Sequence, residues 1–137
     1  MDRRSFLAAA GATGVASLAG CVAGESSAKD YDVGMTAQTF EPAEVTVSAG
    51  DTVVWANTSA RAHSVTAYEA RIPDGASYFA TGGYESEMAA RDAWSNGKGA
   101  IKTGQQFTHA FEVPGEYHYF CVPHEAAGMK GVVVVEE

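Results

Sequence analysis

The sequence predicts a single small all-β domain, an antiparallel β-sandwich carrying one short helix. Three observations lead there. Apolar and polar residues alternate with period two in several separate stretches, and Gly or Pro turn signals fall between those stretches. The chain has 137 residues, enough for one domain with a real core and too few for two ordinary ones.

Taken in order, Val45-Thr46-Val47-Ser48 alternates and Gly50-Asp51 supplies a turn. In Thr52-Val53-Val54-Trp55-Ala56-Asn57, Val53 and Trp55 share a face and should meet the core. Phe107, His109 and Phe111 share the next face, before the turn at Pro114-Gly115. Tyr117, Tyr119 and Cys121 then form one side of a strand, with Glu116, His118 and Phe120 on the other. Val132 to Val135 is a β-branched run suited to a closing buried strand. Residues 84–94 break the pattern. There Ser86 can N-cap a short helix through Met88, Ala89, Ala90, Arg91 and Trp94. It reads as a structured insertion that packs Met88 or Trp94 on the sandwich rather than as a partner-binding element. Ile72-Pro73-Asp74-Gly75, Thr81-Gly82-Gly83 and Asn96 to Gly99 read as loops, and no internal repeat or low-complexity tract interrupts the chain.

The formal charge of −8 repels nucleic acid and anionic headgroups, so neither is expected as a partner of the folded domain. The first twenty residues read as an address. Arg3-Arg4-Ser5-Phe6-Leu7 is a twin-arginine pair, and the Ala/Gly-rich stretch after it is too short and weakly apolar to remain a membrane span. Leu18-Ala19-Gly20-Cys21 has the form of a lipoprotein processing box, in which the cysteine takes a lipid before cleavage. The competing readings are a fraying N-terminal helix and a Cys21–Cys121 disulfide. Export and lipidation of Cys21 would place the protein on the outer face of the cytoplasmic membrane. Without Asp2, Arg3 and Arg4 the mature chain keeps 7 basic and 16 acidic residues, for a charge of −9. Residues 21–30 form the lipidated N-terminus and an Ala/Gly/Ser-rich tether, with a root-mean-square reach of about 15 Å. The folded domain is expected over 31–137.

The chemistry is concentrated in Cys121-Val122-Pro123-His124-Glu125-Ala126-Ala127-Gly128-Met129, which spaces a thiolate, an imidazole and a thioether as C-x2-H-x4-M. A loop leaving one strand and entering the next can wrap all three around one ion. A further ligand must come from elsewhere, and His63, after the Asn57–Ala62 loop, is best placed. Two imidazoles, a thiolate and a weak axial thioether suit copper in both oxidation states, whereas zinc gains little from methionine. His109 and His118 lie mid-strand, away in sequence from any soft ligand, and are assigned structural or surface roles.

Phe40-Glu41-Pro42, Val45-Thr46-Val47, Gly50 through Asn57 and His63-Ser64-Val65 resemble the N-terminal half of a plastocyanin-like cupredoxin. Pro114 through Cys121, Pro123-His124 and Ala127-Gly128-Met129 resemble its C-terminal half. The lipoprotein leader, the acidic balance and the stretch Ile72 to Trp94 are most similar to the halocyanins, an archaeal branch. The resemblance implies an eight-stranded Greek-key β-sandwich with one type 1 copper ion near one end. It makes His63, Cys121 and His124 the equatorial ligands and Met129 the axial one. It also implies a monomeric one-electron carrier rather than an enzyme, exchanging with redox protein donors and acceptors at a membrane in a respiratory-type chain. Two departures stand out. The His63–Cys121 gap is longer than in compact plastocyanins, which changes the partner-facing surface. Ser64 stands where many family members have asparagine, so its backbone N–H can still reach the thiolate but a side-chain link between loops is not implied. Copper storage or delivery is the alternative, though such proteins favour Met-rich or paired-Cys sites with open coordination. A copper enzyme would need further ligands, and a Cys121–His124 hydrolase would need an orienting group.

Overall fold

A computed structural model describes residues 30–137. The twin-arginine segment, Cys21 and the tether up to residue 29 lie outside the described residues. Among the described residues, eight strands form two four-stranded sheets. In chain order they are β1 (Val33–Met35), β2 (Phe40–Glu41), β3 (Glu44–Ser48), β4 (Thr52–Asn57), β5 (Thr66–Ala67), β6 (Gln106–Ala110), β7 (Gly115–Phe120) and β8 (Lys130–Glu136). One sheet runs β2-β1-β4-β6 and the other β3-β8-β7-β5.

The expected all-β sandwich is therefore present, with one correction. The sheets are mixed rather than antiparallel, because β1 pairs parallel with β4 and β3 parallel with β8. Parallel neighbours require connections that cross between sheets, and period-two alternation carries no information on strand direction. The inward faces follow the pattern in the sequence. Val53 and Trp55 of β4, Tyr117 and Tyr119 of β7, and Val133 and Val135 of β8 are all buried in one core. Each such side chain contributes on the order of 1.5–3 kcal/mol by leaving water. β8 closes the chain as expected and lies centrally in its sheet, flanked by β3 and β7. Gly131 sits in it where a Cβ would lie 2.5 Å from the Tyr119 ring and hydroxyl, so only glycine lets that ring pack across β8.

The helix, α1, spans Glu87–Ser95, and the Ser86 side chain accepts from the Ala89 N–H as expected of an N-cap. Of the two large side chains expected to pack, Met88 is 74% exposed and Trp94 is half-buried, while the buried helix residues are Ala90 and Ala93. Small side chains let it lie close to the sheet edge. The segment before it adds a 3-10 turn over Glu69–Arg71, and Tyr68 beside that turn and Arg91 on α1 both lie over the ring of Phe120 at the end of β7. That cover explains why Phe120, on the expected polar side of its strand, is fully buried.

Candidate metal centre

The end of β4 prepares the first ligand. Asn57 is buried, and its amide donates to the carbonyls of Arg61 at 2.6 Å and Ile101 at 2.8 Å. Its oxygen accepts from the Ser59 N–H at 2.9 Å and the Ser59 hydroxyl at 2.8 Å. One side chain thus ties the loop 58–62 into a fixed shape. His63 follows, fully buried, and exchanges both backbone hydrogen bonds with Ile101, at 3.0 and 2.7 Å. Its Nε2 lies 3.0 Å from the Ser59 hydroxyl. A proton on Nε2 leaves the Nδ1 lone pair free, and Nδ1 faces the Cys121 sulfur at 3.5 Å.

The other ligands come from the segment between β7 and β8. Cys121 is a free, fully buried thiol at the end of β7. A 3-10 helix over Val122–Ala127 carries His124, with Pro123 in its first turn. The left-handed Gly128, with φ 89°, ends it and turns the chain into Met129. The loop closes on itself through Cys121 N–H to the Met129 carbonyl at 3.0 Å and Met129 N–H to the His124 carbonyl at 3.1 Å. His124 Nδ1 also lies 3.5 Å from the Cys121 sulfur. The ligand atoms of His63, Cys121 and His124 lie within 4.8 Å of one another, close enough to share one ion. Met129 is fully buried at the end of the same loop.

The donor set fits copper. Burial pushes the Cys121 thiol up, opposed by the Ser64 N–H, which reaches the sulfur at 3.4 Å. Burial pushes both His63 and His124 down, helped for His63 by its neighbour His124 and for His124 by Arg61. Burial thus favours the neutral, lone-pair-bearing form of both imidazoles, while the thiol would have to release its proton to solvent for a cation to bind.

Sequence reasoning named His63, Cys121 and His124, and the fold brings all three together. It did not find Asn57 or Ser59, whose signal was a pair of polar residues closing an apolar strand ahead of a histidine. The side-chain link between loops that Ser64 left open is present. The Ser64 hydroxyl accepts from the Val122 N–H at 2.9 Å, joining the His63 segment to the Cys121 loop. A serine hydroxyl suffices there because the two segments run close together. His109 and His118 stand apart from the cluster, as assigned. His109 stacks on Phe79 at 4.7 Å, and His118 lies 3.2 Å from the Glu116 carboxylate.

Comparison with known proteins agrees with this geometry. Residues 28–136 match the family described as copper binding proteins, plastocyanin/azurin family. Chloroplastic plastocyanin of Tetradesmus obliquus is 36% identical over 97 residues, which are 71% of this chain and 58% of that protein. Plastocyanin of Scenedesmus fuscus is 34% identical over 97 residues, 71% of this chain and 86% of that protein. Among solved structures, pseudoazurin from Methylobacterium extorquens superposes with a TM-score of 0.55 at 25% identity, covering 77% of this chain and 73% of that one. A purple cupredoxin from Nitrosopumilus maritimus shares the fold at 20% identity with a TM-score of 0.52, covering 77% of this chain and all of that one.

Proposed function

The chain belongs to the plastocyanin/azurin family of copper-binding proteins, and from that premise we propose that it is a one-electron carrier tethered to the outer face of a membrane. The observation that carries the reading is the cluster of buried His63 and Cys121 with half-buried His124, their ligand atoms within 4.8 Å of one another. Bound copper supplies the chemistry, cycling between +1 and +2. The residues supply the rest. His63, Cys121 and His124 would hold the ion, and Met129, buried at the end of the same loop, would offer it a weakly bound thioether. The Ser64 N–H stabilises charge on the Cys121 sulfur. The Asn57 network and the Ser64–Val122 link keep the ligands nearly fixed in both oxidation states. A small rearrangement between states means a small barrier to electron exchange. His124 is only partly buried and is followed by the exposed Ala126, Ala127 and Gly128, so its ring edge is the doorway to a partner. A full set of protein donors around a buried thiol favours a carrier over storage or delivery, which needs an open coordination position to hand the ion on.

The carrier exchanges with redox proteins at the membrane and works as a monomer of the halocyanin kind, exported by Arg3-Arg4 and held by a lipid on Cys21. A lipid with two chains suits a stable anchor, since one chain binds only marginally.

The test is the visible spectrum of the oxidised, copper-loaded protein. An intense thiolate-to-copper band is expected, and Cys121→Ser should abolish it. A colourless wild type, or a Cys121→Ser protein that stays blue, would overturn the reading. For the tether, cell fractionation should find wild type with membranes and Cys21→Ser soluble or unprocessed. A Cys21→Ser protein as firmly membrane-bound as wild type would remove the lipid.

A further inference from the structure

The segment between His63 and Cys121 does more than cover the sheet. Arg91 on α1 reaches across to Glu125, the residue after His124. Its Nη1 donates to Oε1 at 2.8 Å and its Nη2 to Oε2 at 3.2 Å, a bidentate pair. The Tyr68 hydroxyl donates to the same carboxylate at 2.6 Å. Arg91 is pre-aligned by Glu87 one turn earlier, with Nε to Oε2 at 2.9 Å. Its guanidinium lies 4.3 Å over the ring of Phe120, and Tyr68 stacks on the same ring at 4.3 Å. Phe120 directly precedes Cys121. One cluster therefore grips the chain immediately before the thiolate and immediately after the partly exposed imidazole.

From this geometry we infer that Arg91 and Glu125 are positioning residues that clamp the Cys121–Met129 loop from outside and hold His124 in register with the buried ligands. The inference rests on the copper-carrier reading and assigns a purpose to the long insertion. An isolated pair would not suffice, because the two side chains are 37% and 29% exposed and water screens such pairs to little net effect. Here the carboxylate accepts three hydrogen bonds, and the guanidinium also rests on an aromatic face, so releasing Arg91 unties several contacts together. Without the clamp, the start of the 3-10 helix keeps its tie to the Ser64 hydroxyl, and its second half is held by its own turns. Gly128 N–H to the Glu125 carbonyl at 2.9 Å and Met129 N–H to the His124 carbonyl at 3.1 Å then become the bonds that open.

Those two amides are the readout. Hydrogen exchange of the apo protein would be compared for wild type, Arg91→Met, which keeps an unbranched side chain over Phe120, and Glu125→Gln, which keeps the hydroxyl contact. Exchange at Gly128 and Met129 should speed up by about tenfold in Arg91→Met, equivalent to roughly 1.4 kcal/mol of local opening. Core amides of Val133 and Val135 should not change, and Arg91→Lys should recover part of the protection. In the copper-loaded form the same variants should show altered copper hyperfine splitting in the EPR spectrum. Wild-type protection at both amides in Arg91→Met and Glu125→Gln overturns the clamp. So does equal acceleration at Val133 and Val135, which marks general destabilisation. The apo measurement is independent of the carrier reading, which fails separately if wild type does not turn blue.

Discussion

The two histidines of the centre are held in opposite ways. His63 is locked from within. It is fully buried, its backbone is bridged to Ile101, and its outer ring nitrogen rests on Ser59, which Asn57 holds in turn. His124 rides on a short 3-10 helix at the surface, stiffened by Gly128, by the turn back to Met129 and by the grip of Arg91 on Glu125. The contrast shows how one site can be both rigid and reachable. The inner ligand takes its order from the core, while the outer one must be braced by surface contacts so that a partner can approach its ring.

The largest test of that contrast removes each imidazole in turn. His124→Gly and His63→Gly should both lose the blue colour when loaded with copper. Added imidazole should restore it in His124→Gly, whose vacancy opens to solvent, and fail to do so in His63→Gly. Equal rescue, followed by visible titration with imidazole, would erase the distinction between an inner and an outer ligand.

A smaller effect is expected from breaking the inner lock alone. Asn57→Ala leaves the buried Ile101 carbonyl without its side-chain donor and Ser59 without its anchor. The Ile101 carbonyl keeps the His63 N–H, so denaturant unfolding of the apo protein should lose about 1–2 kcal/mol, the net worth of the side-chain hydrogen bonds removed rather than the cost of a stranded group. A loss no greater than that of an exposed substitution would mean that the loop keeps its shape without Asn57.

The smallest effect comes from a half-buried imidazole outside the centre. His109 packs between Phe79 and Phe111, with centroid distances of 4.7 and 4.8 Å, and burial holds it below the ordinary 6.5. Its folded pKa is depressed, so its stabilising contribution is complete above 6.5 and is lost as pH falls through the folded value. Copper-loaded protein should therefore lose some stability on acidification from about pH 7 to about pH 5, and His109→Phe should flatten that slope. An unchanged slope would show that protonating His109 costs the fold nothing.

Much of this was legible in the residues. Four of the five longer strands follow from period-two alternation, because a half-buried strand exposes every second side chain, and β8 follows from its run of β-branched valines. The helix was visible in Ser86, whose hydroxyl caps it. Three strands were not foreseen by periodicity. β1, β2 and β5 have three, two and two residues, too few to show a repeat. Their pairing is set by the neighbouring strands.

The same division holds at the centre. Cys121, His124 and Met129 sit within nine residues, so local spacing was enough to mark them, and a soft ligand set needs nothing else to suggest copper. His63 lies 58 residues from Cys121, yet its position after a strand-ending polar loop pointed to it. Only the tertiary structure could show that the Ser64 hydroxyl joins the two ligand segments, that Asn57 reaches Ile101 44 residues away, and that Arg91 meets Glu125. The physical reason is common to all three. A ligand is recognisable by its own chemistry, whereas a brace is an ordinary polar residue whose role comes from what folding places beside it.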